Sequence, residues 1–330
     1  MDKILTIVIP SYNAEKCLAK CLDSLIDERV IGFLDVIVVN DGSQDKTSEI
    51  AHNYKERFPN SIRVFDKENG GHGSGVNAGI KNAKGKYFKV LDSDDWFDTN
   101  NLALFVEKLK IMEIDLVITN FTEIDALTNQ QHLRTFNNPK NDLEVSIDDC
   151  IKQIPYFYMT RLCVKTALLQ KNKVQLQEKT FYVDNEFCVF SVAFASTVTF
   201  FDINLYQYLV GQATQSISRE NMVHHIPDTM RVAYRLVEFY SKQNEARKQR
   251  IKGLVCAFVL SFYHIALIFN RNKKVGKGLY NGYNTGLKLR SKEIYFTIHF
   301  KSRIYYLMSL FRVSPAIYDK IQKLRRGANK

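Results

Sequence analysis

Two periodicities alternate through the first 120 residues, and this constrains the fold more than any other feature of the chain. "ILTIVI" (4–9) and "LDVIVV" (34–39) are short, nearly continuous apolar runs rich in β-branched residues, as expected of strands covered on both faces. Between them, Leu18, Cys21, Leu22, Leu25 and Ile26 recur at helical spacing. The pattern continues with a helix over 45–58, a strand at 62–65, a short helix over 74–83, a strand at 87–91, a helix over 100–112 and a strand at 115–119. Such alternation predicts an α/β, Rossmann-like fold, its mostly parallel sheet flanked by helices. Ligands of such sheets bind beyond the carboxyl ends of the strands. Polar clusters fall at three of those ends: "PSYN" (10–13), "NDGSQD" (40–45) and "DSDD" (92–95).

From 120 to 215 the pattern is mixed, with aromatic-rich runs at 154–159 and 198–210, and beyond 219 helical character dominates. The net charge of +11 is unevenly placed: residues 1–218 hold 23 Lys and Arg against 29 Asp and Glu, and residues 219–330 hold 23 against 6. This shift sets an expected boundary between an acidic domain, 1–218, and a basic helical region, 219–330. The basic region would be drawn to anionic lipid or another polyanion, the plain alternative being a solvated helical surface. No nucleic-acid-binding motif accompanies the charge, so nucleic acid is not an expected partner. "GLVCAFVLSFYHIALIF" (253–269) lies at the lower length limit for a membrane span and is expected to be a buried or interfacial helix.

Six cysteines, at 17, 21, 150, 163, 188 and 256, lack CxxC or His-paired spacing and read as reduced thiols. The apolar stretch in "MDKILTIVIPSYN" is too short for a signal peptide, from which a cytoplasmic location is expected.

Asp92 and Asp94, one residue apart in extended backbone, face the same side, a pairing suited to Mg²⁺ or Mn²⁺ whose other positions a nucleotide diphosphate could take. The competing reading is a solvated acidic turn that caps the helix beginning near Asn100. Asp41, before the Gly42 turn, could accept hydrogen bonds from a base or ribose; helix capping by Ser43 or Asp45 is the alternative reading of that loop. The glycine-rich "ENGGHGSGVNAG" (68–79) lacks the GxxxxGK(S/T) spacing of a phosphate loop. It reads as a close backbone approach to a ligand, with Asn77 and Lys81 facing the pocket and His72 a loop residue. In "FYVDNEF" (181–187), Asp184 and Glu186 stand among aromatics that could raise a carboxylate pKa and make a general base; an acidic helix start is the alternative.

In this order and spacing, "VIPSYN", "VVNDGSQD", "NAGIKNAKGKY", "LDSDDW" and "YVDNEF" resemble the family 2 glycosyltransferases of the GT-A fold, over about residues 3–215. The resemblance implies that Pro10, Ser11 and Tyr12 line the nucleotide pocket, with Tyr12 stacking on the base, and that Asp41 binds the base. It implies that Asp92 and Asp94, with Ser93 between them, form the DxD motif, Asp94 being the direct ligand of Mn²⁺ or Mg²⁺. Asp184 matches the Asp of the EDxx(F/L) pattern, the acceptor-activating base, with Glu186 in reserve because Val183 replaces the preceding acid. Asn40 likewise stands where many members carry an acid. "GQATQSIS" (211–218) replaces the QxxRW of processive synthases.

The resemblance thus implies an inverting, non-processive transfer of one sugar from a nucleotide sugar, UDP by preference, to a hydroxyl of a glycan or lipid-linked acceptor in bacterial surface polysaccharide or glycoconjugate synthesis. Under it, region 219–330 would hold the enzyme peripherally at the inner face of the cell membrane, with homodimerisation as the competing account. A non-catalytic nucleotide-sugar-binding subunit of a glycan assembly complex is the rival reading. A nucleotidyltransferase is disfavoured, because "IPSYNAEKC" is not a glycine-rich phosphate loop.

Overall fold

The structure, a computed structural model, describes residues 2–136, 141–154, 156–211, 218–313, 315–318 and 320. It divides into two units, Met1–Ala213 and Thr214–Lys330.

The first unit begins with the expected alternation: β1 (Leu5–Ser11), α1 (Leu18–Asp23), β2 (Leu34–Asp41), α2 (Thr47–Arg57), β3 (Ile62–Lys67), α3 (His72–Asn82) and β4 (Tyr87–Val90). It continues with β5 (Trp96–Phe97), α4 (Thr99–Ile111), β6 (Leu116–Asp125), β7 (Gln131–Arg134), β8 (Val145–Ser146), α5 (Ile147–Gln153), β9 (Leu162–Lys165), α6 (Thr166–Lys171), α7 (Asp184–Phe194) and β10 (Thr197–Val210). The sheet order is β3-β2-β1-β4-β9-β6-β10-β5, with β7 on β6 and β8 on β10.

β1 pairs in parallel with β2 and β4, β2 with β3, and β6 with β10. The mixed stretch holds the departure from this pattern. β6 runs on past the expected end at 119 and folds back as a hairpin to β7, and β9 enters antiparallel between β4 and β6.

The two-residue period of β1 divides its side chains between two layers. Leu5, Ile7 and Ile9 join Leu18, Cys21, Leu22 and Leu25 in the main core, where each is fully buried. On the other face, Val8 and Pro10 receive α3. A Cβ on Gly79 would lie 2.4 Å from Val8 Cγ2, and one on Gly75 2.8 Å from Pro10 Cβ. The glycine-rich stretch therefore brings a helix onto a strand; the close approach expected toward a ligand is made instead by the protein to itself.

The second unit contains α8 (Arg219–His224), α9 (Ile226–Ser241), α10 (Glu245–His264) continuing through a π turn at Ile265–Phe269, α11 (Lys273–Arg290) and α12 (Lys292–Leu310). Side-chain oxygens of Ser218, Asn244, Asn272 and Ser291 cap α8, α10, α11 and α12. Of the run 253–269, Val255, Cys256, Phe258, Val259, Phe262, Tyr263 and Ile265–Ile268 are buried, and α10 packs against α9 and α12. Among the described residues this helix and its π turn form the one segment long and apolar enough to cross a membrane, yet its apolar side chains make the interior of the unit. All six cysteines are free thiols, five of them buried.

Candidate active site

The rim begins where β1 and β2 end. Their following loops are laced together: Asn13 N donates to Ser43 Oγ at 3.0 Å, Ala14 N to Thr47 Oγ1 at 2.7 Å, and Gln44 N to Asn13 Oδ1 at 2.9 Å. Pro10 and Ser11 are buried, and Ser11 Oγ donates back to Ile9 O at 3.1 Å, so their side chains do not open onto the rim. Tyr12 does, with 54% of its surface exposed.

Asp41 is buried, and its carboxylate accepts from Lys67 Nζ at 2.7 Å, Gly70 N at 2.9 Å and Gly71 N at 2.7 Å. Three of its four acceptor positions thus bind the loop that leads into α3. Beside it, Asn40 Nδ2 donates to Asp66 Oδ1 at 2.8 Å, and Ser43 N donates to Asn40 Oδ1 at 3.2 Å. An acid at position 40 would face Asp66 without a proton to give, which accounts for the amide in this chain.

Beyond β4 the arrangement differs. Asp92, Ser93 and Asp94 are half-buried in the turn that follows the strand. His72, the first residue of α3, places Nε2 2.9 Å from Asp92 Oδ1. Burial lowers the imidazole pKa, but the hydrogen bond and charge of Asp92, with Asp184 and Asp94 acting from further away, outweigh it and raise His72 above its ordinary value. Burial raises Asp94, and the charge of Asp92 adds to the rise. Asp184, the first residue of α7, is also raised by burial, with the charge of His72 only partly offsetting it. Its Oδ1 accepts from Asn185 Nδ2 at 3.1 Å. The acid turn is fastened from behind: Tyr206 OH donates to Asp95 Oδ2 at 2.6 Å and accepts from Asp92 N at 3.2 Å, while Leu209 N donates to Asp95 Oδ1 at 2.8 Å. Asp98 caps α4 by accepting from Asn101 N.

Three expected site residues lie elsewhere. Glu186, the reserve base, is fully buried and accepts from Gln177 N at 2.9 Å and Gln177 Nε2 at 2.5 Å; helical spacing turns it from the face that presents Asp184. Asn77 does not face a pocket, because Nδ2 donates to Leu176 O at 2.9 Å and Oδ1 accepts from Leu176 N at 2.8 Å, tying α3 to the segment before α7. Lys81 is exposed in the last turn of α3, about 13 Å along the helix from His72 at about 1.5 Å per residue. His72, Tyr206 and the Asn40–Asp66 pair are the contributors that sequence reasoning missed. "GQATQSIS" falls at 212–217 outside the described residues.

Among the described residues no group of three His, Cys, Asp or Glu converges in a way that could hold a metal. The paired carboxylates nevertheless fit a hard divalent ion that takes its other ligands from a diphosphate and water. Two acids crowded enough to raise Asp94 would be relieved by a cation. A separate groove of about 590 Å³ beside Trp96, Lys20 and Gln207 includes neither these acids nor His72.

The parallel order β3-β2-β1-β4 with a paired-aspartate turn after β4 is the arrangement of the GT-A fold. S. aureus TarS 1–349 in complex with UDP-GlcNAc has the same fold, with a TM-score of 0.68 at 17% identity, over 96% of this chain and 92% of that one. The mannosyltransferase PcManGT from Pyrobaculum calidifontis in complex with GDP-Man and Mn²⁺ aligns with a TM-score of 0.54 at 14% identity, over 94% of this chain and 87% of that one. In sequence, residues 6–166 match the model of Glycosyl transferase family 2. A Bacillus spizizenii poly(ribitol-phosphate) beta-glucosyltransferase is 30% identical over 172 residues, 52% of this chain and 26% of that protein. The aligned regions span 17%, 35% and 45% of three curated relatives.

Proposed function

We propose that this chain is an inverting, non-processive glycosyltransferase that moves one sugar from a nucleotide sugar, a UDP-sugar first, to a hydroxyl of a glycan or lipid-linked acceptor in bacterial surface-polymer synthesis. The observation that carries the reading is the His72–Asp92 pair, 2.9 Å apart at the end of β4 in a stretch that matches family 2, with Asp94 and Asp184 near enough to act on His72 through their charge. The polymer-glucosylating relative supports the acceptor class, and the UDP-GlcNAc complex of a structural neighbour supports the donor class. In this reading the reaction takes place in the cytoplasm, at the inner face of the cell membrane.

In this reading Tyr12 stacks on the base, and Asp41 holds the Gly70–Gly71 loop in shape while keeping one acceptor position for the nucleotide. Asp184 takes the proton of the acceptor hydroxyl as its oxygen bonds to the anomeric carbon and the bond from that carbon to the diphosphate oxygen breaks, leaving a nucleoside diphosphate and an inverted linkage. A raised pKa suits a carboxylate to this task. Asp94, with Asp92, would hold Mn²⁺ or Mg²⁺, which when bound supplies positive charge to the leaving diphosphate. His72 orients Asp92 and supplies a cationic neighbour to Asp184.

Nucleoside-diphosphate release from UDP-, GDP- and dTDP-sugars, with Mn²⁺ or Mg²⁺, tests the proposal. Metal-dependent release from one donor, lost in Asp94→Ala and in Asp184→Asn, is the expected result. Tight metal-dependent binding without release, even when glycan acceptors are supplied, would favour the non-catalytic subunit, and no binding would overturn the reading altogether.

A further inference from the structure

We propose that the outward face of α12 is a docking surface for an anionic lipid membrane. The helix buries Ile294, Ile298, Ser302 and Ser309. On its other side Phe296, Phe300 and Phe311 are 65%, 77% and 80% exposed, and Leu307 and Leu310 are also exposed. Positions 296, 300, 307 and 311 recur at intervals that keep them on one face of a helix about 28 Å long, with Phe296 and Phe300 toward its start and Leu307, Leu310 and Phe311 at its end. Scattered single apolar side chains need no explanation, but five large apolar side chains left in water along one helix do.

Charge selects the occupant. Arg303 stands on this face, Lys292 at one end, Arg312 at the other and Lys301 on a flank. None of the four pairs with a carboxylate among the described residues, whereas the acid on this helix, Glu293, is paired with Lys252 at 2.8 Å. The face thus interleaves exposed apolar side chains with bases, its one acid neutralised by Lys252, as suits an amphipathic helix lying in a lipid interface with its aromatics among acyl chains and its bases at headgroup phosphates. A second copy would bring a like-charged surface against this one, since residues 219–330 carry 23 Lys and Arg against 6 Asp and Glu. The charge-free run in α10 is already spent on the interior of the unit, so the membrane contact is made by α12.

Sedimentation of the full chain with vesicles tests this, comparing phosphatidylcholine alone with phosphatidylcholine containing phosphatidylglycerol. Binding is expected only to the anionic vesicles and should weaken as salt rises from 50 to 500 mM. Phe296→Ser/Phe300→Ser/Phe311→Ser and Lys292→Gln/Arg303→Gln should each lower the partition coefficient at least 10-fold. Ile111→Ser, which removes an apolar side chain 81% exposed on α4, should leave it unchanged. Circular dichroism and melting curves establish that the variants fold, and the salt series reads the electrostatic part on the unaltered chain. No binding to anionic vesicles, equal binding to neutral ones, or unchanged binding by both folded variants would overturn the proposal. So would dimers that the serine variant converts to monomers without altering vesicle binding, because the face would then belong to a second copy.

Discussion

The ends of β2 and β4 both carry acids and both have a lysine near by, yet they treat them in opposite ways. At β2 the protein supplies the partners: Asp41 has Lys67 and two backbone N–H groups, and Asp66 has Asn40, Ser48 and His52. At β4, Asp94 and Asp184 are held half-buried and raised, and Lys89 is fully buried, donating to the carbonyls of Thr160 and Leu162 at 2.7 and 3.2 Å with no carboxylate partner among the described residues. Acids that the fold satisfies build the rim, and acids that it leaves under tension are available for chemistry. If so, substitutions at the two ends should separate stability from turnover.

The largest effect should come from Asp184→Asn and Asp94→Ala, which are expected to cut donor turnover by about 10²- to 10⁴-fold while leaving the melting temperature unchanged or higher. Steady-state kinetics beside calorimetry will show it; a variant that loses stability instead would place these acids with Asp41. A base works ionised, so if Asp184 fills that role, turnover in the unaltered protein should fall with acidification at a pH above the ordinary Asp pKa, because burial raises this carboxyl.

Lys89 gives the next contrast. Burial lowers its pKa to about 8 from 10.5, so between those values the unfolded chain binds the proton that the folded chain has released. The stability of the unaltered protein relative to Lys89→Met should therefore rise with pH over that window, by about 3 kcal/mol at 1.36 kcal/mol per pH unit. Urea unfolding of both proteins at pH 7, 9 and 10.5 measures it, and a flat difference would mean that Lys89 is solvated.

At a smaller scale, Glu186→Ala leaves Gln177 N–H buried without its acceptor and should cost on the order of 2 kcal/mol, with turnover per folded molecule retained. A selective loss of turnover would restore Glu186 as a base. Smallest, Asn40→Asp sets a carboxylate against Asp66 and should cost about 1 kcal/mol, less in high salt. An unchanged urea midpoint would show that the rim repacks around it.

The alternation of apolar runs made the first 120 residues legible, because strand and helix periods differ and each repeats several times. The antiparallel entry of β9 was not legible: "LCVK" is four residues long, and its partners Tyr87 and Phe88 on one side and Leu116, Val117 and Ile118 on the other are remote in the chain. The DxD pair could be read from one-residue spacing, and the rim position of Asp184 from motif order. Which acids are satisfied could not be read at all, since Asp41 takes donors 29 and 30 residues away and Asp95 takes one 111 away. His72 was passed over because its partner is 20 residues on and leaves no local pattern. Asn77 and Lys81 lie four apart on one helix, so spacing placed them together, but only three-dimensional packing reveals that one is bound to Leu176 and the other is far from the rim.

The place of β9 also has a kinetic consequence. A nascent chain can pair β1 with β2 and β4, and β2 with β3, once residue 90 has emerged, but the outer edge of β4 has no neighbour until residues 162–165 follow. At about 5–20 residues per second, that edge waits several seconds on the ribosome as an open template for another strand. A seam in the middle of the sheet is therefore closed late in synthesis, and a slowed codon between 90 and 162 would lengthen the time its edge stands open.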